Sequence, residues 1–202
     1  VGRDVVSVAF RSGMDRATAE YFVRPYYLHK EFFAAANRYA AEELGMTKEQ
    51  ATSLFVPTPT REDEPTGLAS VRPRPGAEAT LAAIRERGIH IGAVSNSDED
   101  QFEAMMKGLG LTHYFDSLLC SETAQSCKPD PGIFLQALRQ AGCDPHEALF
   151  VGDTPDHDIA GAERVGMRTA LIIEDHGVGF ERGTAREGQV VIRELTELLG
   201  LL

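Results

Sequence analysis

The sequence is poor in several features that mark particular classes of protein. It contains no tryptophan and three cysteines, Cys120, Cys127 and Cys143, whose odd number and spacing fit no disulfide framework. We therefore expect reduced thiols in a cytoplasmic protein. No apolar run approaches the length that spans a bilayer, and no signal-peptide pattern is present, so the sequence predicts no membrane association.

Basic residues are scarce relative to acidic ones. The chain has 20 lysines and arginines against 31 aspartates and glutamates, a formal net charge of −11. This balance argues against a nucleic-acid partner, because proteins hold phosphate backbones with a surplus of positive charge. A small phosphorylated substrate remains compatible with it, since one Mg²⁺ and one lysine reverse the field locally. The composition leaves the oligomeric state open.

From residue 76 onward, strand and helix signals alternate along the chain. Short apolar runs predict strands over residues 89–95, 115–120, 149–151, 169–173 and 189–192. Helical patterns fall over residues 78–87, 98–109, 130–141, 156–165 and 193–199. This alternation predicts an α/β fold, a Rossmann-like core of three layers in which helices cover both faces of a parallel sheet.

Residues 1–75 follow a different pattern. The apolar pattern of Asp4–Phe10 predicts one strand. Two helical patterns follow, one over residues 19–44 with a break at Pro25 and one over residues 48–54. A proline-rich linker with an acidic cluster covers residues 56–75. The expected organisation is a candidate first core strand with its lead-in over residues 1–18, a small α-helical cap with linker over 19–71, and an α/β core over 72–202.

Two carboxylates lie at the end of one predicted strand. The apolar run over residues 148–151 stops at Gly152-Asp153, and Asp158 follows five positions later. An acid at the end of a buried parallel strand lies at the carboxyl edge of the sheet, where α/β folds bind ligands. Two carboxylates there repel each other unless a lysine or a hard cation such as Mg²⁺ lies between them. The alternative is a strand, a turn and a capped helix with solvated acids.

Two further groups fall at the same predicted edge. Ser95 and Asn96 end the strand that begins at residue 89, where a hydroxyl and an amide can bind an oxyanion together with backbone N–H groups. Lys128 stands just before Pro129 in a loop that leads into a helix, and its ammonium can neutralise a phosphate or a carboxylate pair. The alternatives are a helix-capping turn and a solvated surface lysine.

In this order and spacing, the three groups resemble the haloacid dehalogenase superfamily, in its branch with a helical cap inserted after the first strand. Ser95, at the end of an apolar strand, matches the second motif of that family. Lys128, in a Lys-Pro-Asp-Pro-x-Ile-Phe run, matches the third, and the Gly-Asp-x-x-x-x-Asp spacing that begins at Gly152 matches the fourth. The resemblance covers residues 72–202.

The resemblance implies a Mg²⁺-dependent phosphatase that acts on a small phosphorylated metabolite through an aspartyl-phosphate. Ser95 and Lys128 would be catalytic and would hold the phosphoryl oxygens, and Asn96 would join these substrate contacts. Asp153 would bind Mg²⁺. Asp158 would be a second metal ligand or a partner for Lys128.

One part of the family pattern is not found. The first motif should be an apolar strand followed by Asp-x-Asp, which supplies the nucleophile and the general acid or base. Depending on which segment forms that strand, the two acid positions hold Arg11 and Gly13, or Val23 and Pro25. None of these side chains forms an acyl phosphate. Asp15, the nearest carboxylate, has no acidic partner two residues later.

Two explanations compete for this departure. Either the first strand precedes Val1 and all residues before 72 are cap, or the chain carries an altered first motif. In the family this strand lies in the middle of the sheet. The free-energy cost of losing it would exceed the typical stability of a domain, about 5–15 kcal/mol. We therefore expect Asp4–Phe10 to supply the strand with an altered motif. A non-catalytic phosphate- and metal-binding protein and a sugar-phosphate mutase are the alternatives to the phosphatase.

Overall fold

The chain divides into two units, Val1–Ser70 and Val71–Leu202. The computed structural model describes residues 3–47, 50, 71–173 and 185–202. Apart from residue 50, the predicted helix over 48–54 lies outside the described residues, as does the linker over 56–70. No helix among the described residues is long and apolar enough to cross a membrane.

The first unit contains two helices, α1 over Arg3–Tyr21 and α2 over His29–Glu43. Small residues let these helices approach closely. Ala9, Gly13 and Ala17, spaced four residues apart, form a buried stripe on α1. A Cβ added at Gly13 would lie only 2.3 Å from the carbonyl oxygen of Ala36 in α2.

The strand prediction over Asp4–Phe10 is wrong, because this segment is part of α1. Its β-branched residues favour a strand locally, but Val5 and Val8 are 54% and 64% exposed. The stripe of small residues, which has the period of a helix, decides the conformation through its packing against α2. The described part of the first unit therefore supplies no strand to a sheet. Its role as a cap stays a prediction.

The second unit alternates helices with parallel strands. Its helices are α3 (Ala77–Glu86), α4 (Glu99–Leu109), α5 (Ser121–Ala124), α6 (Pro131–Ala141) and α7 (Ala160–Arg164). Its strands are β1 (Gly92–Ser95), β2 (Ser117–Cys120), β3 (Leu149–Gly152), β4 (Arg168–Ile172) and β5 (Val191–Ile192). Shorter helical turns cover Thr112–Tyr114, Pro145–Glu147, Pro155–Ile159 and Leu195–Gly200.

Every strand pair in the described part of the chain is parallel, and the predicted Rossmann-like α/β architecture is confirmed. In the described residues the strands form two sheets, one with the order β1-β2 and one with the order β3-β4-β5. The predicted closing helix over 193–199 is a 3₁₀ turn, Leu195–Gly200. The other predicted elements of this unit agree with the structure to within about three residues, except that the helix over 156–165 opens as a π-helical turn.

One side of β1 faces away from its partner strand. The carbonyl of Ile91, just before β1, accepts hydrogen bonds from the N–H groups of Asp116 and Ser117 at 2.8 and 3.4 Å. Because successive peptide groups of a strand point to opposite sides, the carbonyl of Val94 points away from β2.

Strand β3 has a corresponding side. The carbonyl of Ala148 accepts from the N–H of Arg168 in β4 at 3.0 Å, so the peptide groups of Leu149 and Val151 point away from β4. Within residues 71–173 and 185–202, no strand pairs with these two open edges.

Helix α6 connects the two sheets through a shared hydrophobic core. This cluster contains Leu119 of β2, Ile133 and Phe134 of α6, Phe150 of β3 and Ala162 of α7. The rings of Phe134 and Phe150 meet edge to face with centroids 5.0 Å apart. The core therefore holds the carboxyl ends of β1 and β3 in one region, although no backbone ladder joins these strands.

Replacing Gly13 tests the close approach of α1 and α2. Helix propensity alone predicts that Gly13→Ala stabilises the chain by about 1 kcal/mol. Because the new methyl would meet the Ala36 carbonyl oxygen at 2.3 Å, we expect instead a destabilisation of about 1–3 kcal/mol in urea unfolding followed by circular dichroism. Ser12→Ala in the same helix should change stability by less than about 0.5 kcal/mol. A stabilised Gly13→Ala variant would contradict the packing.

Candidate functional site

The carboxyl ends of β1 and β3 carry the residues singled out from the sequence. Ser95 is the last residue of β1, and Asn96 follows it. Asp153 follows β3, and Asp158 lies in the π-helical turn Pro155–Ile159. Lys128 lies in the loop between α5 and α6 and connects the two groups.

The ammonium of Lys128 is held between the two strands. It donates to Asp158 Oδ1 at 2.7 Å and to the carbonyl oxygen of Val94 at 3.2 Å. It also lies 5.6 Å from the centre of the Phe150 ring. The side chains of Lys128 and Asp158 are only 13% and 7% exposed, so water screens their ion pair weakly. An ammonium has three N–H donors, and these two contacts leave one for a ligand oxygen.

Both oxygens of Asp158 have protein partners. Oδ1 accepts from Lys128, while Oδ2 accepts from the backbone N–H groups of Asp153 at 3.1 Å and Thr154 at 3.0 Å. The wide turn makes this possible, because the N–H groups of Asp158 and Ile159 share the carbonyl of Thr154. Of the two roles expected for Asp158, these contacts favour the partner of Lys128. A direct metal contact by Asp158 stays a prediction.

Gly152 lets the carboxylate of Asp158 reach this position. A Cβ at residue 152 would lie 2.3 Å from Cβ, 2.5 Å from Cγ and 2.6 Å from Oδ2 of Asp158. The Gly-Asp-x-x-x-x-Asp spacing thus has a steric reason in this chain. The sequence contains the signal, but only the close approach of Asp158 explains why residue 152 must lack a side chain.

Asn96 bonds to the backbone of Lys128. Its Oδ1 accepts from the Lys128 N–H at 2.7 Å, and its Nδ2 donates to the Lys128 carbonyl at 2.9 Å. Contact between Asn96 and a substrate, which the resemblance implied, stays a prediction.

Ser95 ends β1, and a second pair of hydrogen bonds fixes the loop that follows it. Its Oγ accepts from Ser97 Oγ at 3.2 Å. The buried Ser121 accepts from the Ser97 N–H at 3.1 Å and donates to the Ser97 carbonyl at 3.0 Å. The sequence alone does not single out Ser97 or Ser121, because serines near the start of a helix normally act as caps.

His157, in the turn between Asp153 and Asp158, is half-buried. Burial lowers the pKa of its imidazole, while the nearby Asp158 carboxylate acts in the opposite direction. Across the described ranges, no group of three or more histidine, cysteine, aspartate or glutamate side chains could hold a metal ion.

The Asp153 carboxylate has the chemistry of a ligand for a hard cation. The Asp153 carboxylate is half-buried and accepts from Thr154 Oγ1 at 3.2 Å through Oδ1. The oxygens of Asp158 are occupied by Lys128 and by two N–H groups. Mg²⁺ is often bound through one or two carboxylates, with water and substrate oxygens completing the shell. This donor set fits Mg²⁺ with Asp153 as one ligand, and water and substrate oxygens would complete the shell.

Comparison with known proteins relates this site to one family. The family model for haloacid dehalogenase-like hydrolases matches residues 6–166, well over half of the chain. Glyceraldehyde 3-phosphate phosphatase of Methanopyrus kandleri is 37% identical over 144 residues, which cover 65% of this chain and 61% of that protein. Phosphoserine phosphatase of Thermus thermophilus is 39% identical over 98 residues, covering 48% of this chain and 39% of that protein. The alignments thus span less than two thirds of these curated relatives.

Solved structures agree on the fold. A haloacid dehalogenase-type phosphatase from Thermococcus onnurineus aligns with a TM-score of 0.58 at 23% identity, covering 98% of this chain and 89% of that chain. A 2-haloacid dehalogenase from Pseudomonas syringae aligns with a TM-score of 0.63 at 26% identity, covering 100% of this chain and 80% of that chain. One of these proteins is named a phosphatase and the other a dehalogenase, so the shared fold does not choose between the two chemistries.

Gly152→Ala tests the steric role of Gly152. Because the added methyl overlaps Asp158, we expect a destabilisation of about 1–3 kcal/mol and a loss of protection of the Asp153 and Thr154 amides in hydrogen exchange. The matched control is Gly200→Ala, where no atom lies within 4 Å of the new Cβ. The control should change stability by less than about 0.5 kcal/mol. Equal effects of the two substitutions would argue against the overlap.

Asp158→Asn tests the buried ion pair. Removing one charge leaves the Lys128 ammonium buried without its counter-ion, and we expect a loss of about 3–5 kcal/mol in chemical unfolding. Glu42→Gln removes the carboxylate of the Arg16–Glu42 pair, whose side chains are both 51% exposed. This control should lose less than about 1 kcal/mol. A loss at Asp158 as small as that at Glu42 would show that the pair is not isolated from water.

Proposed function

The chain belongs to the haloacid dehalogenase-like hydrolases, and we propose that its site serves the hydrolysis of a phosphate ester of a small metabolite. The observation that carries this proposal is the buried Lys128 ammonium, held by Asp158 and by the Val94 carbonyl next to Ser95. The names of the relatives above, which are phosphatases of small phosphorylated compounds, support the same substrate class.

In the proposed reaction the residues of the second unit bind and orient the phosphoryl group. Lys128 donates its third N–H to one phosphoryl oxygen, and the Ser95 hydroxyl donates to another. Asp158 keeps Lys128 in place and does not contact the substrate. When Mg²⁺ is bound at Asp153, it reduces the repulsion between an anionic nucleophile and the anionic substrate.

The nucleophile must come from a carboxylate other than those two. Asp153 is assigned to the metal and Asp158 to Lys128, and Asp15 is an exposed residue within helix α1. We propose that a parallel strand at the open edge of β1 or β3 carries the attacking aspartate. That carboxylate displaces the alcohol from phosphorus, and water then hydrolyses the acyl phosphate, which restores the carboxylate. Asp4–Phe10 was expected to form this strand, but the segment is part of helix α1.

A second function is favoured by one observation. In the described part of the second unit, Asp153 and Asp158 are the carboxylates identified at the site, and both have another role. A protein that binds phosphate and metal without turnover would need no more than these residues. Turnover separates this alternative from the phosphatase.

The metal assignment is tested by calorimetric titration of Mg²⁺. We expect Asp153→Asn to weaken binding by about tenfold or more, equivalent to about 1.4 kcal/mol. Asp158→Asn should weaken it less, because that carboxylate orients Lys128 and the turn. Asp156→Asn, in the same turn but exposed, is the control and should bind Mg²⁺ normally. Unchanged affinity in Asp153→Asn would refute the assignment.

The phosphate assignment is tested with inorganic phosphate in the presence of Mg²⁺. Lys128→Met removes a charge-assisted hydrogen bond, and we expect about 10- to 100-fold weaker binding. Ser95→Ala removes a neutral donor and should weaken binding by about 2- to 10-fold. Lys107→Met, an exposed lysine of α4, controls for the change in net charge. Equal effects at Lys107 and Lys128 would indicate a general charge effect rather than a site.

Turnover of p-nitrophenyl phosphate with Mg²⁺ separates the phosphatase from the non-catalytic alternative. For residues 1–202 we expect a rate close to background, because charge stabilisation without a nucleophile leaves only a residual acceleration. The same assay is run on a form that includes any residues encoded upstream of Val1. Turnover in that form supports the phosphatase. Absence of turnover in both forms would favour the non-catalytic protein, and rapid turnover by residues 1–202 would mean that this chain already contains the nucleophile.

A further inference from the structure

We propose that Asn96 is a positioning residue that acts through Lys128 and does not contact the phosphate. The proposal rests on the proposed function in one respect, the role of Lys128 as a phosphate ligand. It assigns to Asn96 a different part from the substrate contact that its position after β1 suggests.

The carboxamide of Asn96 forms a hydrogen bond with each of the two peptide groups that flank Lys128. Its oxygen accepts from the Lys128 N–H at 2.7 Å, and its nitrogen donates to the Lys128 carbonyl at 2.9 Å. Exchanging the oxygen and nitrogen would set donor against donor and acceptor against acceptor, so the backbone fixes the orientation of the amide. One of the two N–H donors of Nδ2 is committed to the Lys128 carbonyl, and redirecting that donor toward a phosphate would break the bond.

The two ends of Lys128 are thus fixed independently. Asn96 holds the backbone, while Asp158 and the Val94 carbonyl hold the ammonium at 2.7 and 3.2 Å. A lysine has four rotatable side-chain bonds and loses up to about 2 kcal/mol of rotamer freedom when it is ordered. Fixing its backbone reduces the positions that the ammonium can reach, and so prepares the third N–H for a ligand.

A second reciprocal pair in the same loop provides a matched control. Ser121 bonds to both the N–H and the carbonyl of Ser97, one residue after Asn96, and neither bond involves Lys128. Ser121→Ala therefore loosens the same loop through a different backbone segment. Any effect of Asn96 that exceeds that of Ser121 on Lys128 is specific to the Asn96 pair.

The first measurement follows the Lys128 amide by hydrogen exchange, which needs no ligand. We expect Asn96→Ala to speed exchange of this amide by about tenfold, since its acceptor is lost. Asn96→Asp keeps the acceptor and should restore most of the protection. Ser121→Ala should change exchange at Lys128 by less than about twofold, and the amides of β3 and β4 report whether each variant is folded. Unchanged exchange in Asn96→Ala would overturn the proposal.

The second measurement is a double-mutant cycle on the binding of inorganic phosphate with Mg²⁺. Asn96→Ala should weaken binding by about tenfold in the unsubstituted chain and by less than about twofold in Lys128→Met, because its effect passes through Lys128. Equal weakening in both backgrounds would mean that Asn96 contacts the anion itself and would overturn the proposal. If Lys128→Met leaves phosphate binding unchanged, the proposed function of the site fails, and the exchange result alone decides whether Asn96 positions Lys128.

Discussion

The contact between Lys128 and Asp158 is the interaction on which the site depends. A buried ion pair adds little or nothing to stability unless its remaining donors and acceptors are also satisfied, because removing two charges from water is costly. In this chain the second oxygen of Asp158 accepts from two backbone N–H groups, and the ammonium of Lys128 also donates to the carbonyl of Val94. The pair joins a loop before α6 to the turn after β3. Each part of the site is therefore positioned by a part of the chain distant in sequence.

Several local features follow from this contact. Residue 152 must be glycine, since any side chain there would occupy the space of the Asp158 carboxylate. The wide turn after β3 lets Asp158 point back toward the N–H groups of Asp153 and Thr154 instead of outward. Because Asp158 is paired with Lys128, it does not compete with Asp153 for a cation. One acid neutralises the lysine, and the other is the acid that we assign to the metal.

The sequence predicted much of the second unit because its signals are local. Asp130 caps α6 through the N–H of Gly132 at 2.9 Å, and Phe102 and Met106 of α4 are buried on one helix face, as their spacing indicates. Local signals of this kind do not predict contacts between residues that are distant in sequence. The valines before Phe10 favour a strand, and the outcome was decided by how closely α1 approaches α2 at Gly13. In the same way, Asn96 reads as a ligand after a strand, while its partner is the backbone of Lys128, 32 residues later.

The open edges connect the fold to the proposed chemistry. The Val94 carbonyl points away from β2 and accepts from Lys128, where a completed sheet would offer it a backbone N–H. A parallel strand that paired with this edge would donate a backbone N–H to the Val94 carbonyl, whose two lone pairs accept from that strand and from Lys128 together. The Asp158 contact does not involve the edge, so it holds the ammonium with or without such a strand. The strand that we propose to carry the nucleophile would thus join a site whose ammonium the described residues already hold in place.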